Sequence, residues 1–185
     1  MTLEQVVARY VEKKRPVVQR EKRLFATYSL PEAIRQAASK NHGTHQYRLP
    51  RVALPEAARR LLGSADRLKS AQTFRQLIGL VQETIQPIRG IGDLTVYDVA
   101  LRIGYKVGLA PELIYLHAGA AVGAAAVGVT GRTAERDAFP PALRRLKPAE
   151  LENCLCIFKN ELWGRPRKRK GAACSSSRSS RAARC

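Results

Sequence analysis

Two glycines separated by one apolar residue form the clearest candidate for chemistry in this chain. Gly90, Ile91 and Gly92 lie in the run 88–95, between two segments whose apolar residues follow helical spacing. Such a turn lets another molecule approach the backbone closely, because glycine carries no side chain. The first amides of the following helix have no intrahelical acceptor, and amides of this kind bind phosphate. The run therefore predicts a phosphate-contacting turn.

The apolar residues of the run are expected to hold the turn in place. Ile88 would anchor its entry and Ile91 would plug it into the core. The predicted nucleic-acid contacts are Arg89, Gly90, Ile91, Gly92, Leu94 and Thr95. Asp93 leaves an alternative open, because its carboxylate would repel a phosphate and could instead cap a helix beginning at Leu94. In that case the turn would be purely structural.

The charge of the chain also favours a nucleic-acid partner. Its 185 residues include 33 Lys and Arg against 15 Asp and Glu, a formal net charge of +18. Eight of the basic residues lie in 164–185, which has no acidic residue, so 1–163 alone has a surplus of ten. Nucleic acid and anionic membrane surfaces are the usual partners of such proteins.

The segment 164–185 is predicted to be a disordered basic tail that lies along phosphates and adds affinity by counterion release. The contacts expected there are Arg165, Arg167, Lys168, Arg169 and Lys170. The alternative is an unstructured end that only improves solubility. The basic stretch 13–23, interrupted by Pro16, either extends the same footprint or is a solvated linker between two helices.

The other reactive side chains point to no metal or cofactor. His42 and His45 could form half a metal site, but no paired cysteines accompany them, so an exposed loop is the preferred interpretation. Cys154 and Cys156 are two residues apart on a predicted helix and point in different directions, which favours a core role for Cys154. His117 is the residue we retain as a candidate if the protein is an enzyme.

The elements that position these residues are predicted to be helices, which makes the class all-α. Thr2 and Gln5 predict a capping box, and Ser29 and Glu32 start another helix that runs to about Lys40. Further helices are expected over 55–62, 74–85, 94–107, 117–128 and 148–163. The Ala- and Gly-rich helix over 117–128 should pack closely against a neighbour. We expect one compact domain over 1–163, with a helix-hairpin-helix over about 72–108.

Targeting signals are not apparent in the sequence. Residues 1–23 are charged throughout, and the longest apolar run, 114–129, is too short to span a bilayer. The expectation is therefore a cytoplasmic protein that does not use a membrane.

The stretch 88–99 resembles the helix-hairpin-helix of the DNA glycosylase superfamily. The match comprises an apolar residue, any residue, Gly, apolar, Gly, two variable positions and Thr. A longer similarity over 97–104 and 115–119 suggests a family of bacterial proteins with no activity to carry over. The resemblance implies DNA contact, but two catalytic features of glycosylases are missing. Leu94 occupies the position of the nucleophilic lysine, and Leu116 that of the catalytic aspartate.

These observations together predict sequence-independent binding of double-stranded DNA, with DNA favoured over RNA. Three alternatives remain: a divergent glycosylase-like enzyme, an RNA-binding protein, and a partner-binding protein whose hairpin is only a turn. The sequence does not predict an oligomeric state.

Overall fold

The computed structural model describes residues 1–39 and 49–163 of the chain. The expected all-α class is confirmed for this part. The helices, in chain order, are α1 (Leu3–Lys13), α2 (Arg15–Thr27), α3 (Leu30–Ala37), α4 (Ala53–Gly63), α5 (Ala65–Ser70), α6 (Phe74–Ile85), α7 (Asp93–Val107), α8 (Ala118–Ala126), α9 (Pro148–Ile157) and α10 (Lys159–Trp163). Two 3-10 turns, Arg136–Ala138 and Leu143–Arg145, precede α9.

One short antiparallel strand pair was not predicted. Strands β1 (Ile114–Tyr115) and β2 (Thr133–Ala134) pair Ile114 with Ala134 and Tyr115 with Thr133. Each strand has only two residues, which is too few to display the alternating apolar pattern of a strand.

Several helix starts carry the side-chain caps that the sequence indicated. In α1, the Thr2 hydroxyl accepts from the Gln5 amide at 3.2 Å, and the Gln5 side chain accepts from the Thr2 amide at 2.7 Å. The Ser29 hydroxyl caps α3 by accepting from the Glu32 amide at 3.3 Å. The capping box and the Ser29 start are therefore confirmed, because each pairs amides that would otherwise lack an acceptor.

Of the two interpretations of the basic stretch 13–23, the solvated linker is wrong, because all of this stretch except Lys14 is helical. Pro16 is the second residue of α2, where its missing amide hydrogen removes no helical hydrogen bond. Proline here begins a helix. Within α2, Arg20, Lys22 and Arg23 are exposed and form no ion pair with any described residue.

Two other predicted boundaries were wrong. Helix α3 ends at Ala37, three residues before the expected end at Lys40. The predicted helix over 148–163 is divided at Phe158, whose φ of −100° and ψ of 20° separate α9 from α10. Phe158 is buried, and its neighbours include neither proline nor glycine. The apolar period continues across this break, so the pattern alone could not reveal it.

The buried apolar residues form two clusters. We call the first core the cluster built by α3, α4, α6 and α7 together with Phe25 of α2. The second core is built by α1, α8, α9, α10 and the segments around β1 and the 3-10 turns. In the described part of the chain, no helix has the length and apolar character needed to cross a bilayer.

Polar contacts of α2 connect it to both cores. The Arg102 Nε of α7 donates to Glu21 Oε1 at 2.9 Å, and the Lys106 Nζ donates to the Ala26 carbonyl at 3.1 Å. The contacts advance in the same direction along both helices, so α2 and α7 run parallel. At the start of α2, Arg15 makes a bidentate pair with Glu150 of α9 at 2.7 and 3.1 Å.

Candidate functional site

The seven residues 86–92 join α6 to α7 and place two isoleucines in the first core. The Ile88 amide donates to the Ile85 carbonyl and the Ile91 amide donates to the Ile88 carbonyl, both at 3.0 Å. Ile88 and Ile91 are buried, whereas Arg89 is exposed. The expected anchoring roles of the two isoleucines are confirmed. The backbone between them is therefore held at the surface by buried side chains.

The two glycines of this turn have different structural reasons to be glycine. Gly90 has a φ of +95°, and a Cβ placed on it would lie 2.7 Å from Cδ of Pro50. Backbone conformation and packing together therefore require glycine at position 90. Gly92 has a φ of −109°, and a Cβ there would meet no atom within 4 Å. Only at Gly92 is the approach to the backbone open.

Asp93 does not cap the helix, so that interpretation was wrong. Helix α7 begins one residue earlier than expected, with Gly92 at the N-cap position and no side-chain cap hydrogen bond. Asp93 is thus the first helical residue, and its Oδ1 accepts from Gln86 Nε2 at 2.8 Å. Gln86 Oε1 in turn accepts from Gln82 Nε2 at 2.8 Å. The carboxylate is held by a glutamine of the turn.

The remaining predicted contacts in this turn are positioned unequally. Leu94 is half-buried and Thr95 is only 4% exposed, so neither side chain is presented at the surface as that of Arg89 is. The expected contacts of the basic tail, from Arg165 to Lys170, lie outside the described residues, as do His42 and His45.

His117 lies in a buried polar cluster that the sequence did not predict. It occupies the N-cap position of α8, its ring centroid is 4.6 Å from that of Tyr97, and its Nδ1 is 3.9 Å from Oε1 of Glu152. Glu152 is only 6% exposed. This burial, reinforced by the negative charge of Asp98, raises the pKa of Glu152 to about 8.

Sequence reasoning found no carboxylate near His117, because Glu152 comes 35 residues later in the chain. One signal was available. Leu151, Cys154 and Leu155 define the buried face of α9, and Glu152 lies between them at helical spacing. A carboxylate at the edge of an apolar helix face indicates a buried acidic group.

A cleft of about 210 Å³ lies where the two cores meet, beside the first turn of α7. It is bounded by α6, α7, the β1 segment and the β2 segment. Its lining residues are Ile78, Gln82, Asp93, Val96, Tyr97, Tyr115, Leu116, His117, Arg132 and Thr133. The cleft thus connects the turn predicted to bind phosphate with the polar cluster around His117.

The cysteines behave as the sequence predicted for Cys154. Its side chain is fully buried in the second core, and burial raises the pKa of its thiol to about 12. Among residues 1–39 and 49–163, no group of three or more His, Cys, Asp or Glu side chains is arranged to hold a metal ion.

Comparison of the chain with protein-family models, with curated proteins and with solved structures finds no match.

Proposed function

We propose that this protein binds double-stranded DNA without sequence preference, with the turn 89–93 holding one backbone phosphate. The observation that carries the proposal is the open approach to Gly92 at the N-terminus of the 15-residue α7. The amides of the first helical turn, the partial positive charge of the helix end and the exposed Arg89 all favour an anion there. Contacts of this kind position a duplex without reading its bases.

The basic surface supplies the rest of the affinity in this proposal. Exposed Arg20, Lys22 and Arg23 on α2 are available for phosphates, and the tail adds eight basic residues. Each phosphate neutralised on a duplex changes the slope of log affinity against log salt by about −0.9. The proposal therefore requires strongly salt-dependent binding.

The carboxylate of Asp93 is the main electrostatic objection to phosphate at this turn. Its hydrogen bond from Gln86 satisfies one carboxylate oxygen and leaves the negative charge in place. An incoming phosphate would still be repelled by it. We place the phosphate against the amides beyond Gly92 and against Arg89, where donors outnumber the single carboxylate.

The test compares two substitutions to aspartate at glycines with open surroundings. Gly92→Asp supplies a capping carboxylate that occupies the amides of α7 and repels phosphate, and it should leave the helix stable. Gly63→Asp adds the same charge at the end of α4, where a Cβ also meets no atom within 4 Å. Duplex affinity should fall at least tenfold for Gly92→Asp and by less than threefold for Gly63→Asp. Equal losses would remove the turn from the proposal.

The partner class needs a separate measurement. Affinities for duplex DNA, single-stranded DNA and structured RNA are compared across a salt series, with the full chain and with a truncation after Trp163. We expect the duplex to bind most tightly and the truncation to flatten the salt slope. Tighter binding to structured RNA would transfer the same site to RNA, and binding that is insensitive to salt would leave the turn as a purely structural element.

The glycosylase-like alternative has less support from the residues present. Leu94 and Leu116 cannot supply the nucleophile and the carboxylate that the resemblance calls for. Incubation of the protein with abasic and damaged duplexes tests this alternative, and strand cleavage or base release would establish it.

A further inference from the structure

We propose that the 210 Å³ cleft between the two cores is a binding site for a small planar heteroaromatic molecule of the nucleobase or nucleoside class. This inference goes beyond duplex binding and does not depend on it. Ligand sites in proteins are concave, largely apolar and equipped with a few convergent polar groups, and they favour the boundary between two packed units. The cleft has each of these properties.

Aromatic rings form one wall of the cleft. The ring centroids of Tyr97 and Tyr115 are 5.4 Å apart, and that of His117 is 4.6 Å from Tyr97. Phe74 supports both tyrosines from behind, at 6.2 and 5.7 Å, in edge-to-face geometry. The wall is therefore fixed before a ligand arrives. Rings at these distances favour a flat, polarizable ligand over a branched aliphatic one.

Polar groups at the rim of the cleft can both donate and accept hydrogen bonds. Arg132 donates, Asp93 accepts, and the Gln82 amide and the Thr133 hydroxyl do both. All four are exposed. A ligand that uses such a rim needs donors and acceptors on the edge of one ring system. Purines and pyrimidines have this character, whereas a plain aromatic hydrocarbon does not.

The polar rim is held in position by the surrounding structure. Gln82, Gln86 and Asp93 form a chain of two hydrogen bonds, each of 2.8 Å. On the opposite side, the Arg132 carbonyl accepts from the Leu116 amide at 2.8 Å, and Thr133 pairs with Tyr115 across the strands. Because the backbone of this rim and the side chains of Gln82 and Asp93 are already held, only part of the rim needs to be ordered on binding, and even a small ligand can gain measurable affinity.

A buried hydroxyl in the wall supports the same inference. Tyr97 is 1% exposed, and its hydroxyl makes no hydrogen bond with any described residue. Buried hydroxyls are normally paired, so an unpaired one calls for a partner that the described residues do not supply. The volume of the cleft, below the range of about 300–1,000 Å³ typical of drug-sized ligands, limits the occupant to a single nucleobase or nucleoside.

Two sources of this ligand chemistry exist, a free nucleoside and an unpaired base of a nucleic acid. The probes are adenosine and a ten-residue single-stranded oligodeoxyadenylate, with binding followed by amide shifts in two-dimensional NMR. Adenosine should shift Val96, Leu116 and Thr133 with a Kd on the order of 0.1–1 mM. Shifts of these residues by the oligonucleotide alone would assign the cleft to a base within a strand. No shift of these residues by either probe overturns the proposal.

Variants of the cleft rim test the assignment in the full chain. Thr133→Phe fills the cleft from an exposed position and should weaken binding of the active probe more than tenfold. Arg132→Ala should weaken it about fivefold, whereas the matched control Arg136→Ala, which removes an exposed arginine outside the cleft, should change it less than twofold. Equal effects of the two arginine variants would overturn the proposal, and this pair remains informative if Thr133→Phe fails to fold.

Two further controls test whether the polar rim contributes to recognition and whether the cleft binds its ligand independently of duplex binding. Benzyl alcohol offers a ring without a donor and acceptor edge, and it should bind at least tenfold more weakly than adenosine. Equal binding would contradict recognition by the rim. Gly92→Asp should retain the cleft shifts while losing duplex affinity, so that failure of the cleft and failure of the turn are measured independently.

Discussion

Two pairs of closely spaced glycines in the chain have opposite surroundings. Gly90 and Gly92 lie at the surface between α6 and α7, and the approach to Gly92 is open. Gly119 and Gly123 lie one helical turn apart on α8, against α9. A Cβ on Gly123 would lie inside contact distance of the Leu155 carbonyl oxygen, and a Cβ on Gly119 would lie 2.7 Å from Sγ of Cys156.

The difference shows that closely spaced glycines predict a backbone that another group can approach closely. The surroundings of the glycines decide whether that group is a helix of the same chain or a separate molecule. In α8 the missing side chains allow another helix of the same chain to approach, and the gain is packing. In the turn the missing side chain at Gly92 leaves space that the described chain does not use. Gly90 belongs in part to the first type, because Pro50 occupies its side-chain space.

Gly123→Ala should have the largest effect on stability. The added methyl group meets backbone atoms of Leu155, which cannot move aside as a flexible side chain can. We expect a loss of about 3 kcal/mol in the free energy of unfolding, measured by urea denaturation. A loss below about 0.5 kcal/mol would show that α8 and α9 are less closely packed than the comparison requires.

Glu152→Gln should change how the stability of the protein depends on pH, because Glu152 is buried where α9 packs against α8, in contrast to the open turn at Gly92. The pKa of Glu152 is raised from 4.5 to about 8, so between these values the folded protein holds a proton that the unfolded chain has released. The wild-type therefore loses stability as pH rises through this window. Relative to wild-type, the variant should gain about 2 kcal/mol between pH 6.5 and pH 8.5.

Urea denaturation at the two pH values measures this gain. Repeating it in a His117→Asn background measures the same difference without the neighbouring imidazole. A difference between variant and wild-type that does not change with pH would show that the carboxyl of Glu152 ionises normally.

Serine substitutions at Gly90 and Gly92 should have different effects on stability. Gly90→Ser forces a side chain into a left-handed conformation and against Pro50, and should cost about 1–2 kcal/mol. Gly92→Ser places a good N-cap residue in extended backbone and should leave stability within about 0.5 kcal/mol of wild-type. Thermal denaturation measures both. Similar losses for the two variants would remove the distinction drawn between these glycines.

Gly79→Ala should give the smallest effect, with the opposite sign. Gly79 lies inside α6, is exposed, and a Cβ there would meet no atom within 4 Å. Alanine should therefore stabilise the protein by about 0.5–1 kcal/mol, because glycine is the poorer helix former. The same denaturation experiment checks this value, and destabilisation would contradict the open space around the Cβ position of residue 79.

Local signals in the sequence predicted much of the fold. The capping box of Thr2 and Gln5, the helix over 74–85 and the end of α7 at Gly108, whose φ is +77°, depend on residues close to one another in the chain. The packing role of Gly119 and Gly123 was also predicted correctly. Each of these features follows from backbone preferences or helical period, which a single sequence displays directly.

Contacts between distant parts of the chain were beyond local reasoning. Glu152 approaches His117 only because α9 packs beside α8, and Pro50 reaches Gly90 only because the start of α4 lies beside the turn. Capping of α7 by Asp93 was left open as an alternative, but the helix begins one residue earlier and the carboxylate of Asp93 accepts from Gln86 instead. Boundary shifts of this size depend on packing, which period and composition do not resolve.

Because Gly119 and Cys156 face each other between α8 and α9, the Cys156 thiol can serve as a probe of the separation of these helices. The half-buried Cys156 sulfur lies against α8, which restricts the approach of a reagent, and burial raises the pKa of the thiol, which keeps the reactive thiolate scarce. In a Cys174→Ser, Cys185→Ser background, the rate of thiol labelling at Cys156 would therefore report how often the two helices part. The close packing that Gly119 permits thus places a thiol where its labelling rate measures how long α8 and α9 stay in contact.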